Sequence, residues 1–454
     1  MEFLLEKEKN IPVIEDADIC VIGGSCTGVF AAVRAARLGA KVVIVEKQNC
    51  FGGVAASGMV NIWHSLMDTE YKLQIIAGLT QEVLERLKKR NAVIIKENQI
   101  DTFFLNTEEL KIELDELLRE AGVKTYLHTA FAAPVMEKGL LKAVMVENKS
   151  GRGAIKARYF IDATGDGDLC ARMGILYISP DIKQPPTMGA KLMGFNSELY
   201  GMSSVGSFDL KEALIKYGNE FGLPEGWGWS SEIPGAPGMT FQAITRVSGV
   251  DCADANSLTM AEIEGRRQIR AVMDMVRKYG PKDNQVVLLG LSSYIGIRET
   301  RHIKCLHMLK EEEVLYGTKF NDAIANGTYR VDIHHDDRPG VTFRYLDGTE
   351  VYFRSGYPKQ VGHWRMETET NPAFYQIPYS SIVPEGSKNV LCCGRMLDAD
   401  KGAFGAARVM VNLNQTGEAA GVAAYMALDS ERSIDSIDTG LLKKYLQAGG
   451  SATL

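Results

Sequence analysis

The chain has 454 residues, with 51 Lys and Arg against 57 Asp and Glu and a formal net charge of −6. This length is beyond the size at which one hydrophobic core usually keeps growing, so we expect two or more domains. The mildly acidic balance provides no general positive field for phosphate backbones, which argues against nucleic acid as a partner.

The amino terminus and the cysteines bear on location and redox chemistry. The first nine residues, MEFLLEKEK, lack the positive-then-apolar order of a signal peptide, and no run approaches the roughly 18 apolar residues of a membrane span. We therefore expect a cytoplasmic location and no membrane partner. The eight cysteines include no C-x-x-C pair, so neither a disulfide framework nor an iron–sulfur cluster is predicted.

Residues 18–47, DICVIGGSCTGVFAAVRAARLGAKVVIVEK, predict a strand, a tight turn, a helix and a second strand. The apolar run Ile19–Ile22 suits a strand buried on both faces of a parallel sheet. Apolar residues then recur at helical spacing until Gly39, which suits a left-handed helix cap. The next strand is Val42–Val45. This order is typical of a nucleotide-binding βαβ unit.

The turn of this unit predicts a pyrophosphate site. A helix amino terminus presents unsatisfied N–H groups and partial positive charge, and small residues such as Gly23 and Gly28 let a phosphate approach. Ser25 replaces the middle glycine of the G-x-G-x-x-G pattern. Glu46, at the end of the second strand, is placed to accept hydrogen bonds from ribose hydroxyls. A dinucleotide is therefore predicted.

The segments that follow add further elements in chain order. A glycine pair, Gly52-Gly53, comes soon after Glu46, and an amphipathic helix begins near Asn106 or Thr107. Residues 125–160 alternate in polarity between turn signals, which predicts a three-stranded meander. The run YFIDATGDGDLCARMG, residues 159–174, reads as another buried strand and a turn.

The middle of the chain, from about residue 180 to 375, is richer in glycine, proline and aromatic residues. We interpret it as a substrate domain inserted into the nucleotide-binding domain. Its predicted helix, about Leu258 to Tyr279, carries five basic residues, which we interpret as solvated charges rather than an anion site. Near the carboxyl terminus, Val390–Cys393 predict a buried strand, Gly394-Arg395 a turn, and Thr416 onward a helix.

Together these segments resemble FAD-dependent oxidoreductases of the two-dinucleotide-binding flavoprotein group, near the heterodisulfide-reductase A-like and fumarate-reductase-like flavoproteins. The resemblance implies an α/β fold with a Rossmann-type FAD-binding domain and an inserted α+β substrate or cap domain. The FAD domain would comprise residues 1–180 and 375–454, and the cap residues 181–374. The FAD contacts that it implies are Gly23, Gly24, Ser25, Cys26, Thr27, Gly28, Glu46, Lys47, Gly52, Gly53, Ser57, Ala133, Ala163, Thr164, Gly165, Asp166, Gly394, Arg395, Gly417 and Ala419.

The chain departs from that group in two places. Asp398-Ala399-Asp400-Lys401 stands where members commonly have Ser-Ala-Thr-His, and the cysteine clusters of the heterodisulfide-reductase relatives are missing. Any role of that histidine, and electron transfer through iron–sulfur centres, are therefore not carried over.

The expected reaction is hydride transfer between flavin and a small organic substrate, with a carboxylate as one candidate. Such chemistry needs a proton-transfer group, and a carboxylate calls for a fixed cation. The candidates are Arg298, Arg301 and His302 in the run RETRH, and Arg408, since arginine forks suit carboxylates. The electron partner stays open, and a homo-oligomer is compatible with the sequence.

Several residues allow a second interpretation. His64 could lie near the flavin or attach to it, but packing or solvent exposure is favoured; residues 334–337, HHDD, are interpreted as a polar loop rather than a metal site. A redox disulfide of Cys392 and Cys393 is disfavoured.

Two other functions compete with the expected one. An NAD(P)H-fed reductase is a rival, although VVLLGLSSYIG from Val286 lacks the glycine spacing. A flavoprotein that acts on or binds tRNA is another rival.

Overall fold

The structure is a computed structural model that describes residues 2–96, 102–197, 203–225, 228–366 and 370–454. The α-helices of these residues are α1 (Cys26–Arg37), α2 (Leu79–Lys89), α3 (Thr107–Glu120), α4 (Asp168–Arg172), α5 (Leu210–Tyr217), α6 (Ala255–Tyr279), α7 (Glu311–Leu315), α8 (Lys401–Ala407), α9 (Met410–Ser430) and α10 (Thr439–Ala448). The strands are β1 (Val13–Asp16), β2 (Ile19–Ile22), β3 (Val42–Val45), β4 (Ile62–Trp63), β5 (Val93–Lys96), β6 (Thr102–Leu105), β7 (Lys124–Tyr126), β8 (Ala130–Glu137), β9 (Leu140–Asn148), β10 (Gly151–Lys156), β11 (Tyr159–Asp162), β12 (Tyr177–Ile178), β13 (Ala190–Met193), β14 (Asn196–Ser197), β15 (Ser203–Val205), β16 (Phe208–Asp209), β17 (Trp229–Glu232), β18 (Met239–Ala243), β19 (Val287–Leu291), β20 (His302–Ile303), β21 (Ala323–Gly327), β22 (Val331–His334), β23 (Val341–Arg344), β24 (Thr349–Phe353), β25 (Gln360–His363), β26 (Tyr375–Pro378) and β27 (Val390–Cys392).

A five-stranded parallel sheet forms the centre of the fold, in the order β27-β11-β2-β3-β7. Strands β2 and β3 have the predicted bounds, and β27 ends at Cys392, one residue before the predicted end. Every residue of β2, β3, β11 and β27 is buried, as expected for parallel strands covered on both faces. The predicted α/β fold is confirmed.

Helices α1, α3 and α9 pack into the same hydrophobic core as the sheet. Helix α1 ends before Gly39, whose φ of +106° matches the predicted left-handed cap. Helix α3 begins with the side chain of Asn106 accepting a hydrogen bond from the N–H of Glu108, which confirms the predicted start. The core also takes in Leu309 and Ile324, so it extends into the predicted cap region; the domain boundaries stay a prediction.

The predicted meander is present as the antiparallel strands β8, β9 and β10, with turns at Lys138-Gly139 and Gly151, and β1 adds to its edge in parallel. A second antiparallel sheet has the order β17-β18-β13-β19 and packs near α6; a third contains β22 to β25. Arg266, Arg267 and Arg277 lie on the exposed face of α6 and pair with acids of the same helix, as expected for solvated charges.

Three sequence interpretations need correction or comment. Helix α9 begins at Met410, not near Thr416, because Val409 already has the extended conformation of an N-cap. The segment from Val286 contains β19, which pairs antiparallel with β13 and so is not the parallel strand of a second nucleotide unit. No helix among the described residues combines the length and apolarity needed to cross a bilayer.

The cysteines are unpaired thiols, and all eight lie in the described ranges. Cys392 Sγ lies 3.6 Å from Cys305 Sγ, on the opposite side of the strand from Cys393. A bond between Cys392 and Cys393 therefore does not form here. The described residues also contain no group of three or more His, Cys, Asp or Glu arranged to hold a metal ion.

Candidate active site: a cavity at the end of the parallel sheet

A cavity of about 490 Å³ lies at the carboxyl ends of β2, β3 and β11 and extends to β22 and the start of α9. This edge of an open parallel sheet is where α/β proteins bind ligands. Most of the FAD contacts predicted from the sequence border this cavity. They are Gly23, Ser25, Cys26, Thr27, Glu46, Lys47, Gly52, Gly53, Ser57, Ala163, Thr164, Gly165, Asp166, Gly394 and Arg395.

The turn between β2 and α1, residues 23–28, brings backbone to the cavity. Gly23 has φ +99°, and a Cβ there would lie 2.4 Å from the carbonyl oxygen of Ala163 on the neighbouring strand. Ser25 caps α1 by accepting a hydrogen bond from the Gly28 N–H at 3.2 Å. Cys26 and Thr27, at the start of the helix, border the cavity. A phosphate fits this arrangement because helix amino termini favour anions.

Glu46 is held by backbone donors beside this turn. Its Oε2 accepts from the Gly24 N–H at 2.6 Å and its Oε1 from the Gln48 N–H at 2.8 Å. Glu46 is largely buried, and these two bonds fix its carboxylate at the cavity wall. Each oxygen keeps a second lone pair that can accept a hydrogen bond from a hydroxyl group. The predicted ribose contact is compatible with this position.

Arg395 and Asp166 form an ion pair at the cavity wall, with Nη2 2.5 Å from Oδ1. Arg395 also donates from Nη1 to Thr300 Oγ1 at 3.1 Å. Burial alone would raise the pKa of Asp166, but the charges of Arg395 and Lys47 keep that pKa below its usual value. The positive charge of Arg395 is therefore largely matched within the protein.

Five predicted FAD contacts lie outside the cavity lining: Gly24, Gly28, Ala133, Gly417 and Ala419. A Cβ on Gly28 would lie 2.0 Å from the Gly23 carbonyl oxygen, and one on Gly417 would lie 2.1 Å from the Thr27 carbonyl oxygen. These glycines permit close packing of α1 against its turn and against α9. Gly417 and Ala419 miss the cavity because α9 starts earlier than predicted; Met410, Leu413 and Asn414 border it instead.

Four arginines gather beyond the glycine pair, and we call them the arginine cluster: Arg246, Arg298, Arg330 and Arg408. Arg298, Arg330 and Arg408 border the cavity, and Arg246 lies behind His334. Asp332 contacts this cluster: Arg408 Nη2 donates to its Oδ2 at 3.3 Å. The guanidinium groups of Arg298 and Arg408 therefore border one cavity together with Asp332.

Arg298 has no carboxylate partner within the described ranges. Its Nη1 donates to the carbonyl oxygen of Pro185 and, at 2.6 Å, to Thr187 Oγ1. Burial, together with the charges of Arg246 and Arg408, lowers the pKa of Arg298 to about 9. The buried Nε of Arg408 also lacks a hydrogen-bond partner in the described chain. Both features suit an added anion.

His334 lies close to Asp332 behind the arginines. Arg246 Nη1 lies 2.7 Å from His334 Nδ1; because a guanidinium only donates, Nδ1 accepts and the proton is on Nε2. That Nε2 lies 3.2 Å from Asp332 Oδ1. Burial lowers the pKa of His334 to about 3. Burial would raise the pKa of Asp332, but His334, Arg408 and Arg330 hold it well below its usual range.

Arg298 and Arg408 thus border the cavity as predicted, whereas Arg301 and His302 do not. Arg301 pairs with Asp168 at 2.9 Å. His302 is buried, with Nε2 3.1 Å from Glu299 Oε1 and Nδ1 3.3 Å from the Leu397 carbonyl oxygen. Because successive residues of a strand or loop point in different directions, the side chains of Arg298, Arg301 and His302 are close in sequence but do not meet at the cavity.

Sequence reasoning missed Tyr329, Arg330, Asp332 and His334, which border the cavity. The prediction of a polar loop is wrong for His334, which ends β22 and is buried. A usable signal was the alternation in Tyr-Arg-Val-Asp-Ile-His, where Arg330, Asp332 and His334 share one face of a strand. Placing that face at the cavity requires the tertiary fold.

The fold and the lining together define a dinucleotide-binding flavoprotein. Small residues, the start of α1 and Glu46 fit the pyrophosphate and ribose of FAD, and the cavity continues past Gly52-Gly53 as the isoalloxazine would require. The chain belongs to the FAD dependent oxidoreductase family, whose model matches residues 18–446. It is therefore an FAD-dependent oxidoreductase.

Two known proteins that resemble this chain share little of its sequence. A thiamine thiazole synthase of Methanococcus aeolicus is 25% identical over 158 residues, which are 33% of this chain and 55% of that protein. A geranylgeranyl bacteriochlorophyll reductase-like protein of Thermoplasma acidophilum has a TM-score of 0.50 and 13% identity, over 96% of this chain and 83% of that one. The latter likeness supports the fold alone.

Proposed function

We propose that this protein transfers a hydride between FAD and a small organic carboxylate. The observation that carries the proposal is Arg298, a guanidinium that borders the cavity without a carboxylate partner in the described residues. An unpaired buried charge costs free energy, and a bound carboxylate would offset that cost. Arg395, by contrast, already has Asp166.

In this proposal, some residues bind the substrate and others fix the position of the binding residues. When bound, FAD supplies the two-electron acceptor or donor. Arg298 and Arg408 hold the substrate carboxylate, and Asp332 fixes Arg408 through its hydrogen bond. Ile62, Trp229 and Leu413 supply apolar walls that exclude water from the reacting carbon.

The test is anaerobic reduction of the purified holoprotein, followed by the loss of flavin absorbance. Hydroxy acids and saturated carboxylic acids are compared with polyols of similar size, and enoates are offered to the dithionite-reduced protein. We expect bleaching or reoxidation by carboxylates only. Arg298→Met should lower kcat/KM about 100-fold or more, since hydrogen bonds to charged groups contribute about 1.5–3 kcal/mol each.

Arg277→Met is the matched control, because Arg277 lies on the exposed face of α6 and pairs only with Asp274. It should leave kcat/KM unchanged. Reaction with uncharged compounds alone, or equal effects of the two substitutions, would contradict a carboxylate substrate.

A further inference from the structure

We infer that His64 carries the substrate proton in this reaction, an inference that rests on the proposed carboxylate chemistry. His64 borders the same cavity as Arg298 and Arg408. It follows β4, whose residues Ile62 and Trp63 are buried and fix the backbone at the cavity wall.

The imidazole of His64 is positioned by stacking rather than by hydrogen bonds. Its ring centroid lies 4.3 Å from that of Tyr329, at an interplanar angle of 36°. Its ring nitrogens have no hydrogen-bond partner among the residues that the structure describes, whereas those of His334 contact Arg246 and Asp332. A cavity-facing imidazole with available nitrogens can accept or donate a proton.

The charged and titratable groups that face His64 are Tyr329, Arg330, Asp332 and Arg408. Burial is the largest influence and, with Arg330 and Arg408, lowers the pKa of His64 to about 3. The ring is therefore neutral before substrate binds. A carboxylate placed between these arginines and His64 would offset their charge and raise that pKa toward neutrality.

The neighbouring groups are less suited to this role. The Oδ2 of Asp332 accepts hydrogen bonds from Tyr329 and Arg408, and the nearby charges of Arg408 and Arg330 keep its carboxylate ionised. The Tyr329 hydroxyl donates its proton to Asp332 at 2.8 Å. His334 is also neutral and borders the cavity, but its ring nitrogens contact Arg246 and Asp332. His64 is therefore the imidazole of the described cavity lining whose nitrogens are available.

The proton balance is simple. Each two-electron oxidation removes a hydride and a proton from the substrate; the hydride goes to the bound cofactor and the proton to a ring nitrogen of His64. Reduction returns both by the reverse route. No additional oxidant or acid is required within the site.

Carboxylate binding tests the inference without knowledge of the natural substrate. Benzoate is titrated into the oxidised holoprotein between pH 5.5 and 8.5, and its Kd is measured from the flavin difference spectrum. Proton uptake is followed with an indicator dye at low buffer concentration. In the wild type, Kd should fall about tenfold for each unit by which the pH drops below the pKa that His64 takes in the complex, with uptake approaching one proton.

His64→Gln should still bind benzoate, but with little pH dependence and no proton uptake. His363→Gln, in an exposed strand, is the matched control and should behave as wild type. If His64→Gln keeps the wild-type pH dependence and uptake, or the wild type takes up no proton, His64 is not the proton carrier. If no carboxylate binds even to the wild type, the carboxylate proposal itself fails and this inference fails with it.

Turnover provides a second readout once a substrate is found. His64→Ala should lower kcat about 100-fold to 10,000-fold with little change in KM, and added imidazole should restore part of kcat. Acid precipitation tests whether the flavin is covalently attached to His64. We expect the wild type to release its flavin into the supernatant. A yellow wild-type pellet beside a colourless His64→Gln pellet would make His64 an attachment site and overturn the inference.

Discussion

Two arginines of one cavity differ in whether a carboxylate of the described chain matches their charge, and this difference separates the dinucleotide part from the arginine cluster. Arg395, at the dinucleotide part, has a carboxylate partner in Asp166 and a hydroxyl partner in Thr300. Arg298, in the arginine cluster, contacts a carbonyl and a hydroxyl oxygen but no carboxylate of the described chain. The first charge is matched on folding, whereas the second has no carboxylate partner there and, under the proposed function, is matched by the bound substrate.

The comparison predicts opposite effects of the same substitution on the protein without substrate. Arg395→Met leaves Asp166 buried without its ion-pair partner, with only the more distant charge of Lys47 and the Thr300 hydroxyl to offset it, so the free energy of unfolding should fall by about 3 kcal/mol. Arg298→Met removes an unpaired charge and should leave that free energy unchanged or raise it. Urea denaturation of FAD-free protein measures both. Similar losses in the two variants would show that Arg298 is as well compensated as Arg395.

The packing that supports the dinucleotide part gives the next largest effect. A methyl group at Gly417 would lie 2.1 Å from the Thr27 carbonyl oxygen, and both backbones belong to packed helices. Gly417→Ala should therefore lower stability by about 3 kcal/mol and weaken FAD binding by shifting the start of α1. Gly440→Ala, with only the flexible Asp438 side chain nearby, is the control. Unchanged FAD affinity would separate this contact from the cofactor site.

The arginine cluster should also make the protein sensitive to acid. His334 has a folded pKa of about 3, below the value near 6.5 of an unfolded histidine, so the unfolded chain binds more protons between these values. Its contribution to stability is present above pH 6.5 and declines as the pH falls, by about 1.4 kcal/mol per pH unit. His334→Gln should reduce the slope by that amount in denaturation measurements from pH 4.5 to 7.5. A slope equal to wild type would contradict the assignment.

The smallest effect is expected for FAD binding at Glu46, because two backbone N–H groups already donate to its carboxylate oxygens. Glu46→Gln keeps one acceptor oxygen and should weaken FAD binding about tenfold, equivalent to about 1.4 kcal/mol. Fluorescence titration of the apoprotein with FAD measures the change. Glu82→Gln, at an exposed ion pair with Arg37, provides the control. An FAD affinity of Glu46→Gln equal to that of the wild type would contradict the predicted contact between Glu46 and the ribose.

Local patterns were sufficient for much of the fold. Buried β-branched runs defined β2 and β3, the glycine at position 39 defined the end of α1, and Asn106 defined the start of α3. The start of α9 was misplaced because small residues from Gly417 onward suit both a helix end and tight helix packing. A single pattern cannot distinguish those two causes.

By itself, the sequence determined the dinucleotide part, because its turn, its cap and Glu46 lie within one short βαβ segment whose geometry is local. Only the tertiary structure decided which charges remain unmatched, since Arg246, Arg298, Asp332 and Arg408 come from separate segments. Their pairing depends on distances across the fold. Spacing along the chain carries no information about such distances, and for that reason His302 was selected and His334 was assigned to a polar loop.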